Sequence, residues 1–193
     1  KARNPISIIP FVSTAKFNDF ENLNQDTNFS IGGDAKIPIG NALNLDLTFN
    51  PDFSQVEVDR QVTNLSRFSL YFPERRNFFI ENSDLFSDFG FRQIRPFFSR
   101  KIGLNNGNII PILGGARLSG KLNKDWRIGL MNIHTNQSGN TPQQNYTVAA
   151  LQRRVLKNST IGFIGLNRNS LKSSRINPTD YNRIIGTDFN FNT

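Results

Sequence analysis

The sequence predicts an all-β chain: an antiparallel up-and-down transmembrane β-barrel, as a fragment of a larger barrel, with an inserted plug or lid segment. Three observations predict it. Apolar and polar residues alternate with period two in one segment after another, the pattern that sends neighbouring side chains to opposite faces of a strand. Short turns and longer polar loops link these segments in alternation, as on the two rims of a barrel. Hydrophobic residues make up only 37% of the 193 and mean hydropathy is −0.42, far from the roughly 20 consecutive apolar residues of a membrane-spanning helix. Alternating barrel strands of about 9–11 residues keep mean hydropathy low. Residues 1–193 read as part of one barrel domain, with 60–90 as an inserted non-strand segment.

Taken in order, Ile6 to Ser13 reads as a first strand. From Phe29 to Ile39 one face carries Phe29, Ile31, Gly33, Ala35, Ile37 and Ile39, and the other Ser30, Gly32, Asp34, Lys36 and Pro38. Ile39-Gly40-Asn41-Ala42 then turns the chain into Leu43, Leu45, Leu47 and Phe49 against Asn44, Asp46 and Thr48, which makes a hairpin. Gln55 to Asp59 and Ile94 to Ile102 are further strand candidates. Ile112 to Leu122 alternates again, and Asn123-Lys124-Asp125 leads into a strand from Trp126. A polar loop from Thr135 to Asn145 precedes Tyr146 to Leu156 and Thr160 to Arg168. A last run sets Ile185, Thr187, Phe189 and Phe191 against Gly186, Asp188 and Asn190. Glycines on the apolar face (Gly33, Gly114, Gly120) favour a barrel wall over a packed core. Alternation breaks over Arg60 to Gly90, too long for an ordinary connection, with a short helix expected over Val62 to Leu70. Both ends read as cuts in a longer chain.

Phe occurs 18 times, against one Trp, three Tyr and one Met, a bias toward strands over helices. Cysteine is absent, which removes disulfides, Cys-based metal sites and a Cys nucleophile. The net charge of +8 raises the question of nucleic acid. The basic residues are scattered, however, and no ribonucleoprotein, zinc-finger or helix-turn-helix signature is present, so no nucleic-acid partner is expected.

One stretch carries a resemblance. Asn50-Pro51-Asp52-Phe53-Ser54-Gln55-Val56-Glu57-Val58-Asp59, then Asn64-Leu65-Ser66-Arg67-Phe68 and Tyr71-Phe72-Pro73-Glu74-Arg75-Arg76-Asn77-Phe78-Phe79-Ile80-Glu81, resembles an uncharacterised bacterial family of the DUF5916 type. Phe97-Phe98-Ser99-Arg100-Lys101-Ile102-Gly103 and Ile110 to Gly120 fit the same pattern, so the resemblance runs from about Ile31 to His134. It implies that the barrel domain of residues 1–193 is an outer-membrane one of a Gram-negative bacterium, following a domain similar to family 9 carbohydrate-binding modules. It implies no reaction and no sugar-binding residues in this chain.

The ligand or lumen candidates are Glu57, Asp59, Arg67, Glu74, Arg75, Arg76 and Glu81. Charged groups around an aromatic run can build a ligand site; the favoured role is an ion-pair network pinning the inserted segment to the inner wall. Glu57, Asp59 and Asp46 are expected to face inward and to pair with Arg67, Arg75 or Arg76. Glu57 and Asp59 as a glycosidase pair is the weaker reading, because lumen lining explains them as well. His134 is the only histidine, so no two-histidine metal site or Ser-His-Asp triad is available. Trp126, Tyr146 and Tyr181 near strand ends fit an interfacial aromatic girdle. The function expected is non-catalytic: a porin-like pore, transport scaffold or surface platform in the bacterial outer membrane, with no cofactor or metal. Its partners would be outer-membrane lipid, other envelope proteins or a glycan. The alternative is a secreted or surface carbohydrate-binding β-sandwich, which would pack Leu43, Leu45, Leu47 and Phe49 against a second sheet.

Overall fold

The computed structural model describes residues 5–19, 24–51, 74–90, 95–105, 108–172 and 175–192. Eight antiparallel strands form one sheet, in the order β1 (Ser7–Asp19), β2 (Asn24–Ile39), β3 (Leu43–Phe49), β6 (Ile112–Lys121), β7 (Trp126–Thr135), β8 (Gln143–Val155), β9 (Ser159–Lys172) and β10 (Arg175–Asn190). The two-residue strands β4 (Leu104–Asn105) and β5 (Asn108–Ile109) pair only with each other. Between β3 and β4 lie two one-turn helices, α1 (Asn77–Ile80) and α2 (Asp84–Ser87), and a 3-10 turn over Ser99–Lys101. The sheet is open, with β1 and β10 as its edges. No helix among the described residues is long and apolar enough to cross a membrane, which says nothing of strands.

Neighbours in the sheet are neighbours in sequence except at β3 and β6, which pair across the whole intervening segment. Two residues fix that seam. Asn50, with φ +44°, donates from its side-chain amide to Ser30 Oγ at 2.9 Å and to the Ile31 carbonyl at 2.7 Å, so the chain leaves the sheet at a pinned point. Asn tolerates this left-handed conformation better than most residues. At the far end Gly120 has φ +140°, and a Cβ there would lie 2.1 Å from the Ala42 carbonyl oxygen. Only glycine allows that approach.

The register turns alternation into two faces. One outward row reads Ile37, Leu45, Leu118, Leu130, Ala149, Gly165 and Ile185 across β2 to β10, apolar throughout. The adjacent inward row reads Lys36, Asp46, Arg117, Met131, Val148, Leu166 and Ile184. Burial follows a reversed order on β3: Asp46 is 8% exposed and Phe49 64%. The buried apolar cluster is built where Phe78, Phe79, Leu85, Phe86, Phe89, Phe97 and Ile102 meet the inward side chains of β7 to β9.

Three expectations change. The strand read over Ile94 to Ile102 is absent among its described residues: 95–98 are irregular, 99–101 form the 3-10 turn, and Phe97 and Ile102 are spent on the buried cluster. The strand after the polar loop starts at Gln143, inside the range read as loop, because Gln144 and Asn145 pair with β7 despite their polarity. Tyr146 points inward, half-buried against the cluster, and so does not join an outer girdle. The candidate strand Gln55 to Asp59 and the helix over Val62 to Leu70 lie outside the described residues.

Candidate functional site

The site is the inward face of the sheet together with the segment 74–90 seated on it. On β2, β3 and β6 this face is polar. Arg117, 1% exposed, donates to Asp46 Oδ2 through Nη2 at 2.7 Å and Nε at 3.2 Å, and its guanidinium stands 5.4 Å from the centre of the Phe78 ring. Thr48 and Ser119 are buried beside this pair. A buried charge is tolerated when a partner and hydrogen bonds replace water. Register places that partner, since Asp46 and Arg117 sit directly opposite on β3 and β6.

The segment is fastened to this wall at successive positions. Glu81 forms an ion pair with Lys36 on β2 and accepts from Asn44 on β3 at 2.9 Å. Asn82 donates to Ser119 on β6 at 3.1 Å. Asp84 accepts two hydrogen bonds from Arg127 on β7, at 2.6 and 3.1 Å. Apolar anchors follow the polar ones. A Cβ on Gly129 would lie 2.5 Å from the Phe86 ring, and one on Gly162 2.9 Å from the Phe89 ring. Each glycine therefore opens a socket in the strand for one phenylalanine.

The segment is also braced from within. Arg76, 4% exposed, is held by Glu74 through Nε at 2.9 Å and Nη2 at 2.8 Å, and donates to the carbonyls of Ser99 at 2.8 Å and Ile102 at 2.8 Å. Its guanidinium lies 4.2 Å from the centre of the Phe79 ring. Glu74 also accepts from Ser99 Oγ at 2.6 Å and from the backbone N–H of Arg75 and Arg76 at 3.0 Å each. Burial acts to raise the Glu74 carboxyl. The Arg76 hydrogen bond and charge, the Ser99 hydroxyl and the Arg76 N–H outweigh it, so the group sits below its ordinary value.

Beyond this clasp a mostly apolar cleft of about 220 Å³ opens between residues 96–102 and β8 to β10, lined among others by Phe97, Phe98, Tyr146, Arg168 and Ile184. Arg168 at its edge is paired with Asp180 at 2.8 Å. Among the described residues no group of three His, Cys, Asp or Glu side chains is placed to hold a metal.

The candidates from sequence therefore fall in different places. Glu74 and Arg76 form one clasp, and Glu81 contacts the wall through Lys36 and Asn44. Arg75 is exposed beside them. Glu57, Asp59 and Arg67 lie outside the described residues. The expected pairing of Asp46 with Arg67, Arg75 or Arg76 is corrected: Asp46 pairs with Arg117, and Arg76 with Glu74 two residues before it. Nearness in sequence favoured the arginines of the inserted segment, whereas the sheet register brings in one from β6. Lys36, Asn44, Arg117, Arg127, Gly129 and Gly162 were missed as wall contacts. Their signal was parity, since each falls on the inward positions once the strands are aligned.

No curated protein matches the chain, and no solved structure does. A family model does, and it spans residues 4–192, so the later strands share in the likeness that sequence reading had limited to about Ile31 to His134. With both sheet faces and the seated segment inside the matched range, the chain belongs to the family described as Domain of unknown function (DUF5916).

Proposed function

We propose that this chain forms part of the wall of an outer-membrane β-barrel whose interior is occupied by the segment 74–90, and that it acts without catalysis as a pore, transport scaffold or surface platform. The observation that carries the reading is the inverted burial of β2, β3 and β6. Asp46, Thr48, Arg117 and Ser119 are buried, while Phe29, Ile31, Leu47 and Phe49 are exposed on the opposite face. A water-soluble sheet places its apolar face against a second layer, and among the described residues no second sheet covers this one. A lipid-facing wall needs no such layer.

The outward apolar band supports the same reading by its slant. On β2 it reaches up to Phe29 and on β3 to Phe49, whereas on β7 to β10 it stops at the row of Leu130, Ala149, Gly165 and Ile185. The next row holds Asn132, Thr147, Asn167 and Arg183. Strands tilted by about 35–45° from the barrel axis make a level band cross the register obliquely in this way. The reading also requires β1 and β10 to be paired in the assembled wall, since bare strand edges are not stable in lipid.

The test is heat-modifiable migration of the full-length protein taken from isolated outer membranes. The expected result is a fast-migrating folded band in unheated detergent samples that converts to the slower unfolded position on boiling. Recovery of the protein in the soluble fraction, with glycan binding by the isolated protein, overturns the barrel and favours the carbohydrate-binding module.

A further inference from the structure

Along β7 to β9 the two borders of the outward apolar band differ in charge; on β10 the long-loop border carries Arg183, which donates to Asn167 at 3.2 Å and lies 4.8 Å from the centre of the Tyr181 ring. At the long-loop border of β7 to β9 the exposed groups are amides and hydroxyls that bond one another. Asn132 and Asn145 exchange hydrogen bonds at 3.0 Å each, and Asn132 donates to Thr147 at 2.9 Å. At the short-turn border the β6–β7 and β8–β9 turns lie side by side, joined by a hydrogen bond from the Arg154 N–H to the Asp125 carbonyl at 2.8 Å. These two turns and their flanks present Lys124, Arg153, Arg154 and Lys157, all exposed, beside one carboxylate, Asp125. Arg154 is engaged with that carboxylate at 3.3 Å and with the Lys124 carbonyl at 2.9 Å. Lys124, Arg153 and Lys157, with Lys121 exposed at the end of β6, supply the net positive charge.

This charge adjoins exposed apolar surface. The Arg153 guanidinium lies 5.1 Å from the centre of the Trp126 ring. Leu122 and Leu156 at the turns are 52% and 75% exposed. Ile128, Leu151 and Phe163 continue the band directly behind them along one register row. Cations at the end of an apolar band, with an indole at the boundary, match the cross-section of a bilayer edge: phosphate outside, glycerol and acyl chain within.

We infer that the short-turn rim of β6 to β9 is a contact surface for the phosphate headgroups of anionic phospholipid, with Lys124, Arg153 and Lys157 as the contacting cations and Trp126 at the headgroup boundary. The inference rests on the membrane reading above. Phospholipid is the source because bacterial barrels carry their short turns on the periplasmic side, where the leaflet is phospholipid. A nucleic acid would satisfy the cations and leave Leu122, Leu156 and the band behind them in water.

The experiment reconstitutes the full-length protein in phosphatidylcholine bilayers and measures the association of spin-labelled phosphatidylglycerol relative to spin-labelled phosphatidylcholine by electron paramagnetic resonance. The expected result is a preference of roughly two- to fivefold for phosphatidylglycerol, weakened by salt. It should fall to near one in the triple variant K124Q/R153Q/K157Q, with the amount of immobilised lipid unchanged. Arg154 is left intact because it joins the two turns. A native protein with no preference, or a triple variant that keeps it, overturns the inference and leaves the membrane reading standing. A dependence on these residues that appears only with lipopolysaccharide assigns the rim to the other leaflet and overturns it too. Failure to insert into any bilayer sinks both readings.

Discussion

The two halves of the sheet solve the problem of a wall in different ways. In β2, β3 and β6 the inward face is charged and the outward face apolar: Asp46 and Arg117 are buried while Leu47 and Phe49 are exposed. In β7 to β9 the inward face under the phenylalanines of the segment is apolar, and the outward row Leu130, Ala149 and Gly165 is apolar as well. The first half is bound to the segment by ion pairs and hydrogen bonds, whereas the second adds ring-in-socket packing at Gly129 and Gly162 to the Arg127–Asp84 pair. The difference shows why one connected segment needs both kinds of residue: Glu81 and Asn82 meet the polar half, and Phe86 and Phe89 the apolar half.

The comparison breaks most directly at Arg117. Arg117→Ala leaves Asp46 buried without its partner and is expected to cost about 3–5 kcal/mol in denaturant unfolding. Replacing both partners together, Asp46→Leu with Arg117→Met, should recover most or all of that loss. A single substitution that costs nothing would mean the polar half is not held by this pair.

On the outward face, Ile128→Arg in the middle of the β7 apolar stretch is expected to lower stability in bilayers by about 2–4 kcal/mol, while Asn132→Arg beyond its border costs far less. Equal and negligible effects at both positions would mean that water, not lipid, meets this face. In the apolar half, Gly129→Val drives a branched side chain into the Phe86 ring. It should cost about 1–3 kcal/mol and expose the segment to protease in limited digestion. An unchanged digestion pattern would argue against the socket.

The smallest effects are electrostatic and surface-exposed. Glu81→Gln removes a half-exposed pair with Lys36 that water screens, and a loss of less than about 1 kcal/mol is expected. Salt should reduce the native value toward the variant. Glu74 predicts a pH dependence: its carboxyl is held below the ordinary value in the folded chain. Its contribution is therefore fully present above the unfolded carboxylate range and is lost as pH falls through the lowered folded value. Hydrogen exchange of residues 76–79 should rise over that acid range, and Glu74→Gln should flatten the rise.

Much of this was legible in the sequence where a local rule governs it. Period-two alternation located β3 and β6 with nearly their observed ends, because one face of each is apolar and the other polar. It clipped β1, β2 and β10: Asn24 to Asn28, polar throughout, continue the ladder opposite Ala15 to Asp19, and Arg175 to Asp180 contain a register shift against β9. It misread 94–102 because apolar residues there, Phe97 and Ile102 among them, are buried in an irregular segment. Charge partners were the least legible. Asp46 finds Arg117 only after β3 has paired with β6, and no local pattern encodes that pairing.

That seam has a kinetic consequence. Among the described residues the chain leaves the sheet at Phe49, turned by Asn50, and rejoins it at Ile112. Closing so long a loop costs entropy before any contact repays it, whereas β6 to β10 form by adjacent hairpins at little such cost. The β1 to β3 meander and the β6 to β10 meander should therefore assemble as separate units and zip together last along β3 and β6. The segment that later seats on the inward face would act during folding as the strap that keeps the two units within reach. Shortening it should change the rate of assembly far more than the stability of either meander.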